Sequence, residues 1–236
     1  MHHDRPAPDH PRWPVLLSAA LLGYAAGVIT TRRRDRRQLA TARAEALHDP
    51  LTGLPNRRAA LAEVHTRLTG GPFLLALLDL DDFKQVNDTH GHLIGDDLLR
   101  IIAARLYLAT PPDGFAARLA GDEFLLLLPD HGANPTDTIS AVLALLAQPV
   151  TIGAATLRPH ASAGVATTTG GATSWRHLLA RADHALYRAK VGGHAVAVHD
   201  PQRDPPTTPD GPRPRARRRD HPPRTPAARP GSPTEI

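Results

Sequence analysis

The 236-residue chain contains no cysteine, which excludes a disulfide framework, thiolate metal ligands and thiolate catalysis. Aromatic residues make up only 4% of the sequence, too few for the stacking platform of proteins that bind single-stranded nucleic acid. Lysine is also scarce, because the 28 basic residues include only two lysines, Lys84 and Lys190. The length allows one globular domain of ordinary size with additional segments at its ends.

The net charge of +5 comes mainly from two arginine-rich segments, residues 32–37 and the C-terminal tail at 200–236. Proline and charge dominate the tail, which has no apolar face, so we expect it to be disordered. Residues 1–12 are polar and are also expected to be disordered. A nucleic-acid-binding role for the basic tail is one hypothesis, but the tail has neither a motif nor an aromatic residue. No nucleic-acid partner is therefore expected.

An uncharged run at residues 13–30 reads WPVLLSAALLGYAAGVIT, close to the minimum length that spans a bilayer as a helix. Arginines follow it directly at 32–37, and such charges hold their end of a span in the cytoplasm. We therefore expect a single transmembrane helix at 13–31, a helical stalk at 32–47 and a cytoplasmic domain tethered to the cell membrane. A cleaved signal peptide would need a basic start and a small-residue cleavage site. A buried core helix would have nothing to pack against beside the arginines.

Residues 48–199 show the periodicity of a folded domain. Apolar spacing predicts helices over 55–68, 82–87, 93–108, 137–147 and 174–190. Short apolar or alternating runs predict strands over 73–80, 115–119, 124–128, 150–152, 156–167 and 194–198. This mixture of elements indicates an α/β fold, more specifically an α+β sandwich.

Three carboxylates lie at the ends of predicted strands. Asp79 closes an apolar strand, while Asp122 and Glu123 occupy a tight turn that directly precedes another. Acidic groups beside apolar strands cost desolvation energy unless a partner compensates them, and Mg²⁺ prefers carboxylate and phosphate oxygens. Two converging strand ends would suit metal-assisted phosphoryl transfer. The alternative is an ordinary solvated turn, since Gly and Asp are common in turns.

Four sequence blocks favour the first interpretation. They are HDPLTGLPNRR at 48–58, LDLDDFKQVNDTHGHLIGDDLL at 78–99, RLAGDEF at 118–124 and ADHALYRAK at 182–190. In order and approximate spacing they resemble the GGDEF family of diguanylate cyclases over about 48–199. The resemblance implies an antiparallel-type central sheet flanked by helices, similar to the palm of polymerases and nucleotidyl cyclases. It also implies a homodimer that condenses two GTP into cyclic di-GMP and two pyrophosphates.

The resemblance assigns roles to individual residues. Asp122 and Glu123 match catalytic positions, and with Asp79 and the Leu80 carbonyl they match the positions that bind Mg²⁺ or Mn²⁺. Positions that bind GTP in the family correspond to Phe83, Lys84, Asn87, Asp96, Gly121 and Lys190. In this assignment Asn87 and Asp96 read the guanine edge. The short helix that begins at Phe83 and Lys84 holds phosphate oxygens, and Lys190 contacts the terminal phosphates.

Departures from the family pattern define further expectations. Ala120 replaces the first glycine of the signature, where a methyl group could crowd the nucleotide or require negative φ. Alanine is the smallest replacement and both acidic residues remain, so activity is expected to survive. His194 stands where the family usually has an arginine that aids phosphate binding, which implies weaker, pH-dependent binding. Residues 111–114 read Pro-Pro-Asp-Gly where many members carry an Arg-x-x-Asp product site, so no product-inhibitory site is expected.

Two alternatives remain at this stage. His90 and His92 flank Gly91 and could be metal ligands, but a hard cation favours oxygen over imidazole, so a structural role in the turn is preferred. The domain could also be a catalytically inactive GGDEF module that binds GTP or cyclic di-GMP and signals through a partner. Retention of the acidic residues favours an active cyclase.

Overall fold

Seven strands are present in the part of the chain that the structure describes. They are β1 (Phe73–Leu80), β2 (Phe115–Ala120), β3 (Glu123–Pro129), β4 (Val150–Ile152), β5 (Ala155–Leu157), β6 (Ala161–Thr167) and β7 (Val196–Val198). Five of them form the central sheet in the order β2-β3-β1-β6-β7, and β4 pairs with β5 in a separate hairpin. All neighbours in the central sheet are antiparallel except β6 and β7, which are parallel. The sheet is therefore mixed.

Five helices lie wholly within the described residues. They are α1 (Arg57–Arg67), α2 (Phe83–His90), α3 (His92–Ala109), α4 (Pro135–Leu146) and α5 (Trp175–Gly192). Side chains alternate between the two faces of a strand, and the sheet is apolar on both. One face packs against α3 and α4, and the other against α1 and α5. The predicted α+β sandwich is thus confirmed as a mixed central sheet flanked by helices.

The described residues are 46–168 and 174–204 of a computed structural model. The expected transmembrane helix at 13–31, the N-terminal segment 1–12 and the tail beyond residue 204 lie outside them, as does almost all of the stalk. Among the described helices none is both long enough and apolar enough to cross a bilayer. The folded unit begins at Leu47, one residue before its predicted start.

Helix ends depart from the prediction where polar side chains cap them. The first helix was predicted from residue 55 but begins at Arg57, because the Asn56 side chain accepts hydrogen bonds from Arg58 and Ala59 backbone N–H groups. Asn134 caps α4 in the same way, with Pro135 at its first position. Such caps satisfy N–H groups that have no partner within the helix.

Two predictions about the last strands are wrong. The run 156–167 is not one strand, because it divides around Pro159 into β5 and β6, and proline has no N–H to donate to a strand partner. The expected antiparallel-type sheet contains the parallel pair of β6 and β7. Helix α5 connects these strands and provides the long crossover that a parallel pair requires.

Contacts to the domain continue beyond its predicted end at residue 199. Asp204 is buried, and its carboxylate accepts two hydrogen bonds from the Arg188 guanidinium, 3.0 and 3.1 Å long. The same carboxylate accepts from the backbone N–H of Asp200 at 2.8 Å. Residues 200–204 are therefore attached to α5, so the predicted disorder of the tail does not apply to them. For residues 205–236 it stays a prediction.

Candidate active site

The acidic residues nominated from the sequence meet at one end of the sheet. Asp79 lies opposite Glu123 in the register of β1 and β3, and directly opposed residues of an antiparallel pair point to the same face. The backbone N–H of Leu80 donates to the carbonyl of Asp122 at 3.3 Å. Pairing between β1 and β3 therefore brings the four predicted metal and catalytic positions, Asp79, Leu80, Asp122 and Glu123, to one place.

Helix α5 delivers Lys190 to this group. The helix crosses β6 so closely at Gly164 that a Cβ atom there would lie 2.1 Å from the Ala182 carbonyl oxygen. Two turns further along α5, the Lys190 ammonium donates to Asp79 Oδ1. Both side chains are largely shielded from solvent, with exposed fractions of 14% for Lys190 and 19% for Asp79. The predicted phosphate ligand thus lies within reach of the predicted metal ligands.

Electrostatics at the strand ends favour a bound cation. Burial raises the pKa of Asp79 above its ordinary value, the charge of Lys190 opposes this, and the charges of Asp122 and Asp81 add to it. Burial also raises the pKa of Asp122, with a further contribution from Glu123. Partly desolvated carboxylates that repel one another are costly when ionised. A divalent cation offsets this cost by its own charge.

The oxygens present fit Mg²⁺ or Mn²⁺ held together with a nucleotide. In residues 46–168 and 174–204 no three His, Cys, Asp or Glu side chains form a ready metal cluster. The strand ends instead offer the carboxylates of Asp79, Asp122 and Glu123 and the Leu80 carbonyl. Mg²⁺ is commonly held by one or two carboxylates plus substrate phosphates and water, so a partial protein set agrees with a metal that binds with its substrate.

The residues predicted to read guanine lie together on α2 and α3. The Asn87 side chain occupies the space beside Gly95, where a Cβ atom would lie only 1.9 Å from Asn87 Oδ1. The ring of Phe83 borders the same space, at 3.3 Å from that Cβ position. Asp96 follows Gly95 on α3 and is half-buried. The absence of a side chain at residue 95 therefore leaves room for Asn87.

The loop from β1 to α2 carries the predicted phosphate contacts. Phe83 and Lys84 occupy the first turn of α2, whose N–H groups have no acceptor within the helix. Asp82 precedes them with φ +55° and ψ 23°, a left-handed conformation that aspartate tolerates better than most residues. Lys84 is exposed. The amide groups and the exposed ammonium suit a polyphosphate, because helix N-termini favour anions.

Arg118 connects the turn that contains Asp122 with Asp49, near the start of the domain. Its guanidinium donates two hydrogen bonds to the Gly121 carbonyl, at 2.9 and 2.8 Å, and one to Asp49 Oδ1 at 2.8 Å. Asp49 also accepts from the backbone and hydroxyl of Thr52. Burial alone would raise the pKa of Asp49, but the bonds from Thr52 and Arg118 together outweigh it and lower the pKa.

Replacing Arg118 by lysine should lower turnover about tenfold, since an ammonium cannot hold Gly121 and Asp49 together and each hydrogen bond to a charged group contributes about 1.5–3 kcal/mol. Steady-state rates of cyclic di-GMP formation would measure this. The matched control is Arg100→Lys, because Arg100 forms an exposed pair with Asp97 and should be neutral. Equal rates for both variants would contradict a positioning role for Arg118.

The structure also locates the departures from the family pattern. Ala120 ends β2 with its side chain exposed, and the positive φ of the turn is adopted by Gly121 instead, at +53°. Alanine therefore meets the expected requirement for negative φ. His194 is exposed beyond the C-terminal cap of α5, with its ring beside Gly192. His90 and His92 are exposed on either side of Gly91.

One pair of polar residues near the acidic group was missed in the sequence analysis. Ser162 lies opposite Asp79 in the register of β1 and β6, and its hydroxyl donates to Asp81 Oδ1 at 2.8 Å. Asp81 was overlooked although it is two residues from Asp79, which is the spacing of one strand face. Ser162 sits in a short run of small residues and gives no comparable signal.

Known proteins resemble this chain in sequence. A diguanylate cyclase DgcP of Pseudomonas aeruginosa is 42% identical over 161 residues, which cover 64% of this chain and 23% of that protein. A cyclic di-GMP phosphodiesterase, PdeR of Escherichia coli, is 35% identical over 173 residues, covering 70% of this chain and 25% of PdeR. The chain thus spans about a quarter of the length of these relatives.

The fold has a close counterpart among solved structures. The coiled coil and GGDEF domain of DgcB from Caulobacter crescentus, in complex with c-di-GMP, superposes with a TM-score of 0.67 at 31% identity. The match covers 78% of this chain and 98% of that one. The family model described as "Diguanylate cyclase, GGDEF domain" matches residues 46–195, more than half of the sequence. The chain therefore belongs to the GGDEF family.

Proposed function

We propose that this chain is an active diguanylate cyclase, which converts two GTP into cyclic di-GMP and two pyrophosphates. The main support for the proposal is that one end of the sheet brings together Asp79, Leu80, Asp122 and Glu123. The Lys190 ammonium donates a hydrogen bond to Asp79 at the same place. All six of the predicted substrate-binding positions belong to this end of the sheet or to α2, α3 and α5 beside it. Neither Ala120 nor His194 displaces a member of this group.

The reaction joins two nucleotides through two equivalent transfers. In each transfer the 3′-oxygen of one GTP forms a bond to the α-phosphorus of the other, and the bond from that phosphorus to pyrophosphate breaks. The 3′-hydroxyl proton passes to a carboxylate, for which Glu123 at the start of β3 is the candidate. A domain that holds one GTP cannot supply both partners. A homodimer that brings two sites face to face is therefore part of the proposal.

A divalent cation, Mg²⁺ or Mn²⁺, would be held by the carboxylates of Asp79, Asp122 and Glu123 and by the Leu80 carbonyl. When bound, it would neutralise phosphate charge and polarise the phosphoryl group. Lys190 and Lys84 would supply positive charge to the β- and γ-phosphates, while the amides of α2 donate hydrogen bonds to them. Asn87 and Asp96 would pair with the edge of guanine, whose N1–H and N2 amino group are donors that adenine lacks.

The deciding experiment supplies the full chain with GTP and Mg²⁺ and separates the products by chromatography. We expect cyclic di-GMP and pyrophosphate in a ratio of one to two, and no cyclic product from ATP. Binding of a non-hydrolysable GTP analogue is measured in parallel. Analogue binding without turnover would instead identify the alternative, an inactive module that signals through a partner. A chain that neither turns over GTP nor binds the analogue would contradict both the cyclase and a GTP-binding module.

Cyclic di-GMP should not inhibit this enzyme through a product site at residues 110–114. Thr110 is the C-cap that follows α3, and Gly114 donates its N–H to the Pro111 carbonyl at 2.8 Å in a tight turn. That segment contains no guanidinium to grip a phosphate. Added product should leave the initial rate nearly unchanged, apart from weak competition that excess GTP relieves. Strong inhibition that GTP cannot relieve would reveal a product site elsewhere.

Membrane anchoring is a separate proposal that rests on the sequence alone. The uncharged run at 13–30 and the arginines at 32–37 would place the catalytic domain on the cytoplasmic side, where GTP is available. A topology reporter fused after Glu235 should therefore read out as cytoplasmic. A reporter signal from the opposite side of the membrane would contradict the proposal.

A further inference from the structure

The loop between β1 and α2 is held in an unusual backbone conformation. Asp82 is the one non-glycine residue with positive φ among the described residues. Left-handed backbone at such a residue costs free energy and persists when surrounding contacts enforce it. This loop carries the Leu80 carbonyl on one side and the amides of Phe83 and Lys84 on the other. Its shape therefore determines how metal and phosphate ligands are presented together.

Hydrogen bonds at Asp81 connect the loop to β6 and to the residue directly before it. The backbone N–H of Asp81 donates to the His160 carbonyl at 2.9 Å. The Ser162 hydroxyl donates to Asp81 Oδ1 at 2.8 Å. The first bond depends only on the backbone, whereas the second depends on two side chains. The side-chain bond is the one that substitution can remove.

Ser162 is exceptional within the sheet. With 3% of its surface exposed it is one of two buried polar or charged residues in the described ranges, the other being Asp204. Its neighbours on β6, Ala161 and Ala163, are apolar and also buried. A buried hydroxyl costs free energy unless it is hydrogen-bonded. The hydrogen bond to Asp81 satisfies the buried hydroxyl of Ser162 and so accounts for a serine at this position.

We infer that the Ser162–Asp81 hydrogen bond positions the phosphate- and metal-binding loop for GTP. The inference rests on the proposed function, because it assumes that this loop receives a nucleotide. Ser162 touches neither the substrate nor the metal in this assignment and acts through Asp81. Strand β6 is paired on both sides, with β1 and β7, so it provides a stiff support. The Ser162–Asp81 hydrogen bond thereby restrains residues 80–84 relative to the sheet.

The test compares four variants of the full chain: Ser162→Ala, Asp81→Ala, Asp81→Asn and the double alanine variant. Ser162→Ala should weaken binding of a non-hydrolysable GTP analogue roughly three- to tenfold, the range expected for one lost hydrogen bond. The KM for GTP should rise by a similar factor, with a smaller change in kcat. Asp81→Asn keeps an acceptor oxygen and should bind the analogue within about twofold of the unchanged protein.

The double variant distinguishes a shared bond from two separate effects. If both residues act through one hydrogen bond, Ser162→Ala should add little to Asp81→Ala, so the free-energy changes will not be additive. The matched control is Ser140→Ala, which removes an exposed hydroxyl from α4 and should leave binding unchanged. Melting temperatures report whether each variant is folded. If Ser162→Ala fails to fold, the comparison of Asp81→Asn with Asp81→Ala decides.

Several results would overturn the inference. Unchanged analogue binding in Ser162→Ala or Asp81→Ala would do so, as would additive effects in the double variant. Failure of the proposed function would give a different result, because the unsubstituted chain would then bind the analogue without turnover. The comparison of analogue binding among the variants would still test the role of the Ser162–Asp81 bond. An unsubstituted chain that binds no GTP analogue would contradict both ideas together.

Discussion

Replacing Asp79 by asparagine should abolish cyclic di-GMP formation while the domain remains folded. Asp79 lies opposite Glu123 and contacts Lys190, so its charge is at the centre of the proposed cation site. Losing a carboxylate that holds a catalytic metal removes about 4 kcal/mol of transition-state stabilisation, which corresponds to roughly a thousandfold in rate. Steady-state assays with saturating GTP and Mg²⁺ would measure the loss. Glu123→Gln should have a comparable effect on turnover.

A second readout separates loss of metal binding from loss of catalysis. A cation that binds only the folded protein raises the free energy of unfolding, by about 1.4 kcal/mol when its concentration is about ten times the Kd. Mg²⁺ or Mn²⁺ with a GTP analogue should therefore raise the melting temperature of the unsubstituted chain. The increase attributable to the metal should disappear in Asp79→Asn. Chelation should reverse it in the unsubstituted chain.

The control for charge removal is Asp97→Asn. Asp97 lies on α3 in an exposed pair with Arg100, and such pairs contribute little to stability. Normal turnover in this variant together with none in Asp79→Asn would assign the effect to the site. Near-normal turnover in both Asp79→Asn and Glu123→Gln would show that the strand ends do not form the catalytic centre.

Much of the fold is predictable where hydrophobic pattern alone decides the structure. The run Phe73–Leu80 is apolar until its polar end and forms a strand with the predicted bounds. Helix α5 begins after Ser174, whose side chain accepts from the His177 N–H, and ends before Gly193 in a left-handed conformation. The predicted start at residue 174 is one residue early and the predicted end at residue 190 is two residues early, because serine and glycine mark helix ends for known physical reasons but do not fix the last turn.

Features that depend on contacts distant in sequence were not predictable in the same way. The division of 156–167 follows from sheet membership, since β5 pairs with β4 while β6 joins the central sheet. Nothing local in the sequence indicates that β7 pairs in parallel with β6. Asp204 resembles any other residue of a polar tail, and only the fold brings Arg188 to it. Ser162 is likewise informative only once Asp81 is seen beside it.

The same distinction between local pattern and distant contacts applies to the site residues. The carboxylates and lysines could be nominated from the resemblance, since each belongs to a compact sequence block. The structure adds the connections among blocks that are far apart in sequence. Arg118 contacts Asp49 across 69 positions, and Lys190 contacts Asp79 across 111. Their positions depend on the complete sheet and its helices.

Substituting Gly95 by alanine should weaken GTP binding strongly while leaving the domain as stable as before or more stable. A Cβ atom at residue 95 would lie 1.9 Å from Asn87 Oδ1 and 3.0 Å from its Cγ, so the Asn87 side chain must move away. A good bidentate contact to a base contributes about 1–3 kcal/mol of discrimination. The KM for GTP should therefore rise by roughly 10- to 100-fold, and selectivity over ATP should fall.

Stability and binding are expected to change in opposite directions, which makes this variant informative. Alanine is favoured over glycine within a helix by about 1 kcal/mol, and Gly95 lies in the first turns of α3. A weaker substrate affinity with an unchanged or higher melting temperature cannot be attributed to unfolding. The control is Gly71→Ala, because a Cβ atom there meets nothing within 4 Å and the backbone is not left-handed.

Asp96→Ser tests the same pocket from its other side. It removes the carboxylate predicted to accept hydrogen bonds from guanine without occupying the space of Asn87, so selectivity should fall as in Gly95→Ala. Competition between GTP and ATP, measured in both variants, reads out base choice independently of metal binding. Unchanged selectivity in both would mean that guanine is recognised elsewhere. A loss confined to Gly95→Ala would assign base recognition to Asn87 and remove Asp96 from the pocket.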